Sequence, residues 1–248
     1  MEWAGDGLLL TVRPHGENAV ILEVLTADHG LWRGIVRGGT GRRMAPVLMP
    51  GNTLRLAWRA RLEDHLGHFT VDLLRARAGA IMAEAERLAA LNALCALAVF
   101  ALPERAPHPR LHAVAEALLD RLAAGEAWFG VYLLWEKVLL EETGYGLDLT
   151  ECAVTGEIEG LTHVSPRTGR AVTAEAAGEW ADRLLPLPPL LLNAAAPETR
   201  AQMAAGLRTT GHFLSEVLAP ALGPRPLPEA RARLVARFGG AGESSPAP

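Results

Sequence analysis

Thr53-Leu54-Arg55-Leu56-Ala57-Trp58-Arg59-Ala60-Arg61 alternates along its length. Leu54, Leu56 and Trp58 fall on one side, and Arg55, Arg59 and Arg61 on the other. A period of two marks a half-buried strand. The same pattern recurs in the surrounding sequence. Upstream, Leu8 to Arg13 is a short apolar run, and Ala19 to Thr26 places Val20, Leu22 and Val24 together. Leu31 to Arg37 sets Trp32 and Val36 against Arg33 and Arg37. Downstream, His68 to Leu74 supplies a fifth run. The intervals are turn chemistry: Pro14-His15-Gly16, Asp28-His29-Gly30, Gly38-Gly39-Thr40-Gly41 and Pro50-Gly51-Asn52. Five short strands without helical pattern among them predict a small closed barrel of the OB-fold kind.

Charge marks the same region. Between Trp32 and Leu62 stand Arg33, Arg37, Arg42, Arg43, Arg55, Arg59 and Arg61, with no acidic residue among them. The whole chain is nevertheless acidic, at a net charge of −4. A single-sign stretch in an acidic chain suits a polyanion partner. A barrel interior cannot take unpaired guanidinium groups, so these seven are expected to point outward and bind nucleic acid. Arg42 and Arg43 fall in a glycine-rich connection that lacks the lysine and spacing of a phosphate-binding P-loop.

The pattern changes after residue 78. Residues 79–102 carry apolar positions at helical spacing, with Cys95 on the buried stripe. Pro103, Pro107 and Pro109 end that helix. A second helix is expected over 110–124. A third, over 127–143, is apolar on nearly every side and suits the centre of a bundle, with Gly144 closing it. Residues 145–173 read as loops and short strands. Further helices are expected over 173–185, 197–218 and 228–238. The domain division is therefore 1–78, an OB-fold nucleic-acid-binding domain, then 79–238, a helical domain with an irregular insert at 145–173, then a disordered tail at 239–248. The fold class is α+β. No apolar run is long enough to span a bilayer, and the amino terminus lacks a leader pattern, so a cytoplasmic protein is expected.

No catalytic constellation assembles. There is no GxSxG, no HExxH and no Walker lysine, and the eight histidines are scattered. His108 and His112 lie four apart without a partner in metal spacing. The chain reads as non-enzymatic, with no catalytic residue and no cofactor.

Short blocks through the chain point to one family. They are Arg13-Pro14-His15-Gly16-Glu17, Thr26-Ala27-Asp28-His29-Gly30, Gly34-Ile35-Val36-Arg37-Gly38 and Pro50-Gly51. Later come Gly144-Tyr145-Gly146-Leu147-Asp148-Leu149, Cys152-Ala153-Val154-Thr155-Gly156 and Val164-Ser165-Pro166-Arg167-Thr168-Gly169. In this order they resemble the bacterial RecO family of recombination mediators. The resemblance implies an OB-fold followed by a helical domain, and a nucleoid-associated role in DNA repair by the RecF pathway. It implies binding of single- and double-stranded DNA and annealing of complementary strands. It also implies partnership with RecR, contact with the acidic, apolar C-terminal tail of the single-stranded-DNA-binding protein, and help in loading RecA.

The chain departs from the family at one place. Many members carry two CxxC-type pairs in the insert, forming a four-cysteine zinc site. Here Cys152 stands at the first position, Thr155 at the second, and residues 165–169 offer no second pair. One thiolate cannot build a tetrahedral site, so a zinc-less insert is expected. On residues alone, an RNA-binding OB protein and a metal-dependent nuclease are the competing readings. The first follows because either backbone suits arginines. The second finds no acids in the basic stretch to hold a metal.

Overall fold

The computed structural model of the protein describes residues 1–62, 65–223 and 225–239. The expected tail at 239–248 lies outside these, apart from Gly239. Internal contacts divide the chain into two units, residues 1–126 and 127–248.

The first unit is built on β1 (Glu2–His15), β2 (Ala19–Thr26), β3 (Gly30–Arg37), β4 (Thr53–Arg59) and β5 (His68–Arg75). They close into a barrel in the order β1-β2-β3-β5-β4, antiparallel except for β3 with β5. This is the OB-fold that the alternation predicts. Leu9, Leu22, Val24, Trp32, Leu54, Leu56, Trp58 and Phe69 fill the interior. Their outward neighbours along β4 are Arg55, Ala57 and Arg59, all exposed.

Strand β1 is twice the expected length. Its first half pairs with β4, from Glu2 opposite Arg59 to Leu8 opposite Thr53. Its second half pairs with β2, and a register shift between Leu9 and Thr11 lets the strand bend from one partner to the other. The acidic amino terminus is thus a strand, with Glu2, Ala4 and Asp6 outward and Trp3 turned inward.

Helices α1 (Ala78–Met82), α2 (Ala85–Ala101) and α3 (Pro109–Ala124) complete this unit. The single helix expected over 79–102 is two. Glu84 has extended backbone, φ −132° and ψ 129°, and its carboxylate turns to Arg87 at 2.6 Å. Leu102 is extended because Pro103 follows it. Cys95 lies buried on α2, and burial pushes its thiol up to about 12.

A polar joint fastens the helices to the barrel. The buried Arg77 donates to Asp120, Glu116 and the Thr53 hydroxyl, each at 2.7 Å. The Asn52 side-chain carbonyl accepts from the N–H groups of Arg77 and Ala78, and its amide donates to the carbonyls of Pro46 and Val47. Burial alone would raise the Glu116 carboxyl. The hydrogen bonds from Arg77 and Thr53 and the Arg77 charge outweigh it and hold the group below its ordinary range.

The second unit contains α4 (Phe129–Glu142), β6 (Leu161–Val164), β7 (Ala171–Thr173), α5 (Ala174–Ala177), a 3₁₀ turn (Gly178–Arg183), β8 (Leu185–Pro186), α6 (Pro189–Leu192) and α7 (Arg200–Phe213). A π-helical segment (Leu214–Leu218), α8 (Ala219–Ala221) and α9 (Glu229–Phe238) follow. Helix α4 packs against α6 and α7, and α9 lies on α7. The insert contributes β6 and β7 to a small sheet that β8, beyond the insert, completes in the order β7-β6-β8. The helix expected over 173–185 stops after four residues, because Gly178 takes φ +46° and leaves helical space. The helix expected over 197–218 begins later, where Thr199 caps the Gln202 N–H, and widens to π geometry at Leu214.

At the centre of this unit the fully buried Glu136 receives Arg231 through two hydrogen bonds, 2.8 and 3.0 Å. The Tyr132 and Thr210 hydroxyls also donate to it, and Arg231 reaches the Leu207 carbonyl. No helix among the described residues is long and apolar enough to cross a membrane.

Candidate nucleic-acid interface

Alternation puts Arg33, Arg37, Arg55 and Arg59 on the outer face of the barrel. Arg42 and Arg43 lie in a turn, and Arg61, expected on the strand, lies beyond the end of β4 at Arg59. The seven do not have one environment. Acids missing from the basic stretch arrive on neighbouring strands. Arg33 is clamped by the buried Glu23 at 2.8 Å and by Glu104 at 2.9 Å. Glu23 also takes the Thr11 hydroxyl and Arg13. Arg33 therefore ties β3 to β2 and to the segment after α2. Arg55 meets Asp6 at 3.5 Å, and Arg59 meets Glu2 at 2.8 Å. These two pairs are well exposed, and exposed pairs contribute only ~0–1 kcal/mol. A phosphate can replace such a carboxylate at little cost.

Arg37, Arg42, Arg43 and Arg61 have no carboxylate partner among the described residues, and all four are exposed. Arg37 instead lies 3.4 Å from the His68 ring nitrogen. His68 pairs in register with Arg59 of β4 and with Ile35 of β3. One exposed histidine thus stands between two of the arginines.

The glycine-rich connection is ordered by its own backbone. The Met44 N–H donates to the Gly41 carbonyl at 2.9 Å, so Arg42 and Arg43 occupy the two central positions of a turn. Met44 then accepts from the N–H groups of Val47 and Leu48, and Leu48 is buried as an anchor. The turn therefore presents both guanidinium groups to solvent.

Two depressions flank His68 and Thr70. One, of about 660 Å³, lies over the small residues Ala4 and Ala57 with Arg59 at its edge. The other, of about 440 Å³, opens between β3 and β5 beside Arg37 and Met44. Sequence reading passed over His68 and Met44. The parity of β5 was the available signal for His68, since it places His68 and Thr70 on the outward face.

The insert offers no metal site. Among the described residues, no three His, Cys, Asp or Glu side chains converge in a way that could hold an ion. Cys152 is buried, and its sulfur accepts from the Thr173 N–H at 3.4 Å. Hydrogen bonding from Thr155, with backbone amides of 173, 155 and 154, pulls the thiol down to about 6 against its burial. With one thiolate and no converging His, Asp or Glu among the described residues, the residues present do not fit zinc.

Two family models match the chain in sequence. "Recombination protein O N terminal" covers residues 1–77, and "Recombination protein O C terminal" covers residues 82–226. The chain is 56% identical over 235 residues to the DNA repair protein RecO of Ruegeria sp. TM1040, covering 95% of this chain and 97% of that one. It is 55% identical over 235 residues to the RecO protein of Cereibacter sphaeroides ATCC 17029, with the same coverage. With that of Paracoccus denitrificans it shares 54% identity over 238 residues, 96% of each chain. A barrel with an arginine-bearing outer face, a helical second half and full-length likeness to these relatives lead to one conclusion: the chain belongs to the RecO family of DNA repair proteins.

Proposed function

We propose that this protein is a non-enzymatic recombination mediator that binds single- and double-stranded DNA through residues 1–78. It anneals complementary strands and, with RecR, helps load RecA on strands coated with single-stranded-DNA-binding protein. The observation that carries this reading is the set of exposed arginines that have no carboxylate partner among the described residues: Arg37, Arg42, Arg43 and Arg61. Such cations release counterions when phosphates replace solvent, and no nucleotide hydrolysis is needed for that step. Holding two strands on one cationic face lowers their mutual repulsion, which is what annealing requires. Arg55 and Arg59 join as their exposed carboxylates are displaced. Arg33, held by two acids, contributes least.

A salt titration of binding to a fluorescent single strand tests this. With four phosphates engaged, log K should fall against log salt with a slope of about −2.8, at ~0.7 per contact. A slope near zero, or no binding to any DNA, contradicts the reading.

The acidic, apolar tail of the single-stranded-DNA-binding protein is assigned to residues 79–238. A groove of about 350 Å³ between α7 and α9 supports this. Ala201, Ala204, Ala205 and Phe238 line it, and Arg208 is exposed at its edge. Apolar tail residues suit the lining, and the tail carboxylate suits the guanidinium. Arg208→Glu should weaken binding of the labelled tail peptide about tenfold, read by fluorescence polarisation, and leave DNA affinity unchanged. Equal peptide affinity in the variant would remove the groove from consideration.

A further inference from the structure

Strands β3 and β5 are the weakest seam of the barrel. They are joined in register only at Ile35 and His68, with the Ile35 N–H donating to the Gly67 carbonyl at 3.0 Å. Earlier in β3, the edge is covered at Leu31, which bridges to Glu104 and accepts from the Arg105 N–H. Beyond Ile35 the two strands have no further pairing, and the slot of about 440 Å³ opens there.

The walls of this slot are of two kinds. Val36 and Phe69 are buried and form an apolar floor, with Met44 and Val71 half-buried on its sides. Gly34 makes the floor possible: a Cβ there would lie 2.5 Å from the Phe69 ring. Arg37 and His68 stand at the rim, and Arg42 and Arg43 directly precede Met44.

An apolar cleft with cations at its mouth suits a ligand with a flat apolar body and an anionic attachment. A nucleotide has that shape and charge. A thioether is polarisable and adapts its rotamers, so Met44 can lie against any of the four bases. A base inside a duplex is stacked and paired and cannot enter. We propose that this slot receives one unpaired nucleobase of a bound strand, with the adjoining phosphates on Arg37 and the Arg42–Arg43 turn. The inference rests on the DNA-binding reading above and deepens it: the arginines hold any DNA, and the slot favours single strands.

The test uses the full chain and three fluorescent probes of equal length. They are a strand of about 15 thymidines, an abasic strand with the same number of phosphates, and a blunt duplex. The wild type should hold the thymidine strand about tenfold tighter than the abasic one, the size expected from seating one base. Met44→Asn adds no charge and lies in a partly exposed loop, so an unchanged melting temperature serves as its control. It should cut that preference to about twofold, leave duplex affinity within twofold, and leave the salt slope unchanged, since no phosphate contact is lost. Equal binding of the thymidine and abasic strands by the wild type overturns the slot while sparing the DNA-binding reading. So does a Met44→Asn variant that weakens all three probes alike. Failure of the wild type to bind any probe overturns both.

Discussion

Arg231→Ala should destabilise the second unit by about 3–5 kcal/mol, the cost of leaving one member of a buried ion pair without the other. Glu136 has no exposed surface, and Arg231 supplies two of the four hydrogen bonds its carboxylate receives from Arg231, Tyr132 and Thr210. Removing the guanidinium leaves a charge facing two neutral hydroxyls in a site closed to water. The Leu207 carbonyl loses its side-chain donor as well. Replacing both ions with apolar residues of similar size, Glu136→Leu with Arg231→Met, should cost far less, because neither charge then has to be stripped of water. Chemical denaturation of the two variants and the wild type measures the difference. A loss below about 1 kcal/mol in Arg231→Ala would mean that the carboxylate finds water or a proton in place of its partner.

That pair also shows what the sequence could not reveal. Glu136 lies in an apolar helix and Arg231 in a polar one, 95 positions apart. No spacing rule connects them, and each taken alone reads as a surface charge. The barrel was legible for the opposite reason. Strand parity is local, so Leu54, Leu56 and Trp58 declare an inner face without knowledge of their neighbours. Even there, long-range pairing decided details. The first half of β1 forms because β4 lies beside it, and its own Glu2-Trp3-Ala4-Gly5-Asp6 carries too few apolar residues to declare a strand. Helix ends behaved similarly: Pro103 was readable, whereas the break at Glu84 depends on a backbone turn that composition does not encode.

The candidate interface was half legible. The clustering of seven arginines is a property of the sequence, but its acid-free appearance is not a property of the surface. Asp6, Glu2 and Glu23 come from β1 and β2 and meet Arg55, Arg59 and Arg33 across the sheet. Register, which sequence alone leaves open, sorts the arginines into a clamped one, two weakly paired ones and four without a carboxylate among the described residues. It also creates the β3–β5 slot, since the slot exists only where two distant segments fail to pair.

The sorting has its largest expected consequence in the Arg42–Arg43 turn. Replacing both by glutamate removes two phosphate contacts and puts two negative charges where the backbone would pass. The slope of log K against log salt should fall in magnitude by about 1.4, and affinity at low salt should fall roughly 30-fold or more for every sequence alike. The fold should be untouched. The turn is held by the Met44 N–H on the Gly41 carbonyl and by buried Leu48, none of which involves either side chain. Arg33→Glu is the informative contrast. It would set a carboxylate against the buried Glu23 and against Glu104, so its main effect should be a lower melting temperature with the salt slope nearly unchanged. Melting curves and salt titrations on the same preparations separate the two kinds of arginine. If Arg42→Glu/Arg43→Glu kept the wild-type slope while Arg33→Glu lost it without loss of stability, the phosphate path would have to run over the clamped side of β3 and not along the turn.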